Sequence, residues 1–141
     1  MNKEDLIEIR EPHPGDLSFI RVTWLKGLYY GGGGFFRKIP KTIFMESYKE
    51  VIDKVLTSPT VIVNIACLKE DKDVIVGYSV SRKAADITVL DFVYVKKDWR
   101  GIGIARDLLP KTIYAASHLT RAGEALLEKL YPSAIFNPFV L

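Results

Sequence analysis

Residues 91 to 109 read DFVYVKKDWRGIGIARDLL. An apolar stretch passes through Lys96, Lys97 and Arg100 into Gly101 and Gly103, and a helix-like segment follows. At a helix N-terminus the N–H groups lack intrahelical partners, and the macrodipole adds partial positive charge. Gly101, Gly103 and Ala105 carry little or no side chain, so an anion can approach the backbone closely. Arg100, Arg106 and Lys96 or Lys97 place cationic groups around the same turn. A strand, a small-residue turn and a helix opening of this kind form a phosphate cradle. The competing reading is a strand–helix turn in which glycine only permits tight packing; the flanking Arg100 and the strand context favour the cradle.

The surrounding elements decide which phosphate-binding turn this is. "LIEIREP" alternates and stops at Pro12, a short strand. After Asp16, a good cap, Phe19, Ile20, Trp24 and Leu28 recur at helical spacing. Four glycines, residues 31 to 34, then interrupt any regular element. A second helix follows, with Phe44, Tyr48, Val51, Ile52 and Val55 on one stripe. "TVIVNIACL", "VIVGYSV" and "ITVLDFVYV" are β-rich and joined by short polar segments, which predicts an antiparallel meander. The glycine turn opens a helix from about Gly101 to Leu109 that Pro110 ends or kinks. "TIYAAS" predicts a short strand and "TRAGEALLEKLY" a last helix with Ala122, Ala125, Leu126, Leu127 and Leu130 inward. "SAIFNPFVL" closes the chain as a short strand or tail. The whole, residues 1 to 141, reads as one α+β domain around a mixed, mostly antiparallel sheet flanked by helices.

This context excludes two nucleotide-binding motifs. A Walker A loop needs GxxxxGK[ST], which is not present. A dinucleotide fingerprint needs a third glycine where Arg106 stands, and a βαβ unit where the meander lies. Arg100-Gly101-Ile102-Gly103-Ile104-Ala105 matches R/Q-x-x-G-x-G/A and resembles the pyrophosphate-binding motif of the GNAT (acyl-CoA N-acyltransferase) superfamily. Val95 stands where that family has the valine closing its fourth strand, and the element order resembles the GNAT core from about Leu6 to Leu109. The short length and the ending "FNPFVL" are reminiscent of phage-encoded GNAT-like proteins.

The resemblance implies binding of acetyl-CoA (coenzyme A). Its pyrophosphate would meet the backbone amides of Arg100, Gly101, Ile102, Gly103, Ile104 and Ala105, with Arg106 beside them. Val93, Tyr94 and Val95 would offer the strand edge that pairs with the pantetheine arm, and the Val93 N–H would stabilise a developing oxyanion. For the base, parity offers Asp91, which shares a face with Ile87, Val89, Val93 and Val95 if the strand is regular. A carboxylate among valines should have a raised pKa. For the acid, aligning on "EKL" puts Leu127 at the family's tyrosine, which cannot donate a proton, and leaves Tyr131, Ser117 or His118 as substitutes.

Two functions follow. One is N-acetyl transfer to a primary amine of a small molecule or protein. The other is a catalytically degenerate domain that binds CoA or acetyl-CoA and acts through a protein partner. Charge is modestly positive, with 20 Lys and Arg against 17 Asp and Glu, and no aromatic-basic stripe marks a nucleic-acid surface. Two histidines and one cysteine show no metal-ligand spacing. The single Cys67 rules out an internal disulfide and reads as a buried small hydrophobe. The absence of a long apolar run or leader-like N-terminus predicts a cytoplasmic protein without membrane attachment. The "YYGGGGFF" loop would suit a lid or a docking loop.

Overall fold

The computed structural model describes residues 2–140. In chain order its elements are α1 (Lys3–Leu6), β1 (Ile7–Arg10), α2 (Asp16–Gly31), α3 (Lys41–Leu56), β2 (Val61–Leu68), β3 (Ile75–Ala84) and β4 (Ile87–Val95). These are followed by α4 (Ile104–Leu108), β5 (Ala115–Ala116), α5 (Arg121–Leu130) and β6 (Ile135–Phe136). The six strands form one sheet in sequential order. β1 to β4 pair antiparallel, and β2 to β4 form the meander that their β-rich runs and short polar connectors predict. β5 and β6 join parallel. Each comes after a helix, which supplies the crossover that parallel pairing needs.

Helices cover both faces. α2 and α3 bury Ile20, Trp24, Leu28, Phe44, Ile52 and Val55 against Ile65, Tyr78, Val80 and Phe92 of the sheet. On the opposite face Ile104 and Leu108 of α4 pack on Ile7, Ala66 and Val76. Beside them Leu127 of α5 packs on Leu90 and Ala116. Cys67 is fully buried in the first of these layers.

Several local expectations shift. Asp16 is the first residue of α2 rather than its cap. Its carboxylate accepts from the His13 N–H at 2.6 Å and from Arg10 at 2.7 and 3.1 Å, which fixes the turn between β1 and α2. The Arg10 guanidinium holds that carboxyl below the usual carboxylate range. α2 continues through Gly31, and only Gly33 and Gly34 leave at positive φ. α4 has five residues, well short of the predicted span. Pro110 disfavours helical geometry at the residue before it, and Leu109 is accordingly extended, with φ −87° and ψ 148°. Of the α5 residues expected to point inward, only Leu127 is buried. Ala122, Leu126 and Leu130 instead face a cleft, and Ala125 is exposed.

Candidate functional site

β4 and β5 pair over only two residues, Val89 with Ala115 and Leu90 with Ala116. Beyond them the strands diverge, and the second edge of β4 lies open from Phe92 to Val95. The Lys96 N–H bonds the Val76 carbonyl on β3 at 2.8 Å. Backbone groups alternate along a strand, so Tyr94 also points to β3, while Val93 and Val95 turn their N–H and C=O to the open side. Arg100 agrees with this direction, because its Nε donates to the Val95 carbonyl at 2.8 Å.

That open edge forms one wall of a cleft of about 950 Å³. The floor is the loop from Trp99 to Arg106, and the facing wall is the α5 side, with Thr120, Ala122, Gly123, Leu126 and Leu130. Gly27, Tyr30 and Gly31 of α2 close one end. Thr120 caps α5 by accepting the Gly123 N–H at 3.0 Å.

In the loop Gly101 and Gly103 take φ +83° and +88°, a left-handed geometry that favours glycine. Among the described residues, no N–H from Gly101 to Arg106 donates to another backbone group. These donors, without a backbone partner and on residues that line the cleft, are what an anion needs. The helix behind them is too short for its dipole to dominate. Added charge comes from Arg100, Arg106, Arg121, Lys129 and Lys3, all on the cleft wall. Lys3, in the first turn of α1, has no local sequence signal tying it to this loop and went unrecognised in the sequence. Its Nζ pairs with Asp107 at 2.8 Å. Among the described residues the wall carries no carboxylate and no imidazole.

The residues expected to form the cofactor edge and cradle, Val93 to Val95 and Arg100 to Arg106, therefore come together around one cleft. Asp91, Ser117 and Tyr131 do not join them on its wall. Asp91 sits at a register shift in which Val80 faces Phe92 and Ser81 faces Leu90. The extra residue breaks the alternation. Leu90 and Val93 pack toward α5, whereas Phe92 packs toward α2 and α3. The assumption of a regular strand, on which Asp91 shared a face with Val93, fails at this bulge. The Asp91 carboxylate is fully buried and held by Arg82, Nε and Nη2 each at 2.7 Å. Ser117 Oγ donates to it at 2.6 Å. Tyr131, at the end of α5, donates its phenol to the Pro110 carbonyl.

Ser117 also contacts His118 Nδ1 at 2.8 Å. The hydroxyl proton goes to Asp91, so Nδ1 must carry its own proton and donate to Ser117. His118 Nε2 is then a buried acceptor without a protein partner. The ring lies edge-on to Trp24 and Tyr48. Burial pushes the imidazole pKa down to about 4, partly countered by Asp91. Arg82, Asp91, Ser117 and His118 thus tie β3, β4 and the end of β5 together beside the point of divergence.

A pH dependence of stability follows. In the unfolded chain the imidazole titrates near its ordinary value of about 6.5. As pH falls from about 6.5 toward about 4 the unfolded chain takes up a proton that the folded chain refuses, and stability is lost across that window. The loss is expected to reach about 3 kcal/mol, and His118→Phe should flatten it. Urea unfolding at a series of pH values measures this; equal slopes for both proteins in that window would refute it.

No family model matches the sequence, and no curated protein matches it. Solved structures do. A ribosomal-protein-alanine N-acetyltransferase from Brucella melitensis biovar Abortus 2308 is similar over 96% of this chain and 98% of its own, with TM-score 0.59 and 17% identity. A provisionally assigned acetyl transferase from Pyrococcus furiosus is similar over 93% and 80%, with TM-score 0.59 and 17% identity. A protein described as a possible acetyltransferase from Clostridium difficile 630 gives TM-score 0.52 at 21% identity over 73% of this chain. The chain spans 66% of that protein's length. None of the three comes from a phage. The fold is that of the GNAT acyl-CoA N-acyltransferases, an α+β sheet flanked by helices.

Proposed function

We propose that the protein binds acetyl-CoA in the cleft beside β4 and transfers its acetyl group to a primary amine. One observation carries this reading: the open edge of β4 and the free N–H groups of Gly101 to Arg106 border the same cationic cleft. A diphosphate fits the donors and the charge of the loop, and a pantetheine arm fits an unpaired strand edge. The three neighbours bear acetyltransferase names at a fold-level likeness, which supports the class of reaction.

When bound, the thioester supplies an activated acyl carbon. The chain's part is to orient and to stabilise. The Val93 N–H faces the open edge and is the donor placed to meet negative charge on the acyl oxygen. The Arg100 bond to the Val95 carbonyl fixes the loop against the strand. Leu126 and Leu130 line the side of the cleft facing β4 with apolar surface. A thiol titrates near pH 8.5, so the departing thiolate needs little help from an acid. Asp91 acts as a positioning residue in this scheme, since Arg82 and Ser117 occupy its oxygens. The acceptor is a small-molecule or protein amine.

A second reading rests on the missing carboxylate and imidazole: a CoA-binding domain that acts through a protein partner without turnover. Calorimetric titration tests what both readings share. Acetyl-CoA should bind and raise the melting temperature, and Arg100→Glu should weaken binding by at least about tenfold, through lost pinning and reversed charge. A wild-type chain that binds neither CoA nor acetyl-CoA would remove both readings. Release of free CoA in the presence of amines then separates them.

A further inference from the structure

We infer that Lys3, delivered by the N-terminal helix α1, is a diphosphate-contacting residue of the cofactor site, an inference that rests on the acetyl-CoA reading above. It adds a distant residue to the cradle rather than defining a separate site. A Cβ placed on Gly103 would lie 2.8 Å from Lys3 Nζ, so the ammonium stands directly over the left-handed glycine of the loop. Lys3 is on the wall of the cleft, and its side chain is 19% exposed.

The ammonium is held there. Asp107, in the first turn of α4, accepts one of its hydrogens at 2.8 Å and leaves two donors for a ligand. α1 itself is anchored. The Lys69 N–H donates to the Leu6 carbonyl at 2.8 Å, and Lys69 Nζ donates to the Glu4 carbonyl. Leu6 packs on the cluster that contains Ile104 and Leu108. An anion approaching the N–H groups around Gly103 therefore meets a pre-positioned cation, whose side-chain freedom has largely been lost in folding. Asp107 partly neutralises Lys3 in the free protein and orients it toward the loop.

Binding of three ligands to wild type, Lys3→Gln and Lys3→Arg tests this by calorimetry. CoA, 3′-dephospho-CoA and ADP all carry the diphosphate; only CoA carries the ribose 3′-phosphate. Lys3→Gln is expected to weaken all three by a common factor of about ten, the worth of one charge-assisted hydrogen bond, and Lys3→Arg to restore most of it. Wild-type strength in Lys3→Gln for all three would overturn the inference while leaving the cofactor reading intact. A loss confined to CoA would also overturn it, because the ammonium would then serve the ribose phosphate. Failure of the wild type to bind CoA would instead strike the underlying reading, before Lys3 is at issue.

Discussion

Acetyl transfer will rise about tenfold for each pH unit between about 7 and 9, without a plateau near neutrality. The expectation comes from what the cleft wall lacks. Among the described residues it carries cations and hydroxyl groups but no carboxylate or imidazole to accept a proton. A primary amine such as that of lysine titrates near 10.4, so at pH 7 only a small fraction is the free base that can attack a carbonyl. With no side chain to take the proton in the transition state, the rate follows that fraction. Across two pH units the gain is about a hundredfold. An acceptor with a lower amine pKa should bring the curve to its ceiling correspondingly earlier. The measurement is kcat/KM for one acceptor at several pH values, corrected for spontaneous thioester hydrolysis. A profile that levels off between pH 6 and 8 would show a titrating base in the protein. No turnover at pH 9, with acetyl-CoA bound tightly, would favour the partner-binding domain.

How much of this was visible in the residues depends on how local each feature is. The glycine turn was legible because Arg100, Gly101 and Gly103 encode it over four positions, and left-handed backbone demands a residue type that can be read directly. The meander was legible because β2, β3 and β4 repeat with period two and their connectors are short. The surroundings of Asp91 were not, because they depend on Arg82 in another strand and on one extra residue at the bulge. A shift of one residue moves side chains to the other face, and no composition or spacing within β4 announces it. The Lys3–Asp107 pair was not legible for the same reason, since its members lie 104 positions apart in the chain. The helix of α5 is legible in its apolar spacing, but of the five residues expected inward only Leu127 is buried, and Ala125 is exposed. Whether that face meets a core or borders a cleft depends on where β4 and β5 part, and that is a property of the assembled sheet.

Asp91→Asn will destabilise the fold by about 3 kcal/mol, and its effect on acetyl transfer will come through that loss. Asparagine keeps the size of the side chain but leaves the Arg82 guanidinium, which is only 13% exposed, without a counter-charge. It also disturbs Ser117 Oγ, whose proton now points at the carboxylate, and through it the His118 Nδ1–H. Breaking one partner of a buried pair costs far more than never having the pair, because the residual charge stays desolvated. The double variant Arg82→Leu, Asp91→Asn removes that orphan. It should therefore recover part of the stability, a non-additivity of at least about 1 kcal/mol in a double-mutant cycle. Catalysis separates this from a proton-transfer role. If Asp91 holds the junction of β4 and β5, transfer measured at a temperature where Asp91→Asn is partly unfolded should improve in the double variant along with stability. If Asp91 removes the amine's proton, the double variant stays as slow as Asp91→Asn however well it folds. The second outcome would return Asp91 to the reaction itself and require the cleft to open toward it when an acceptor binds.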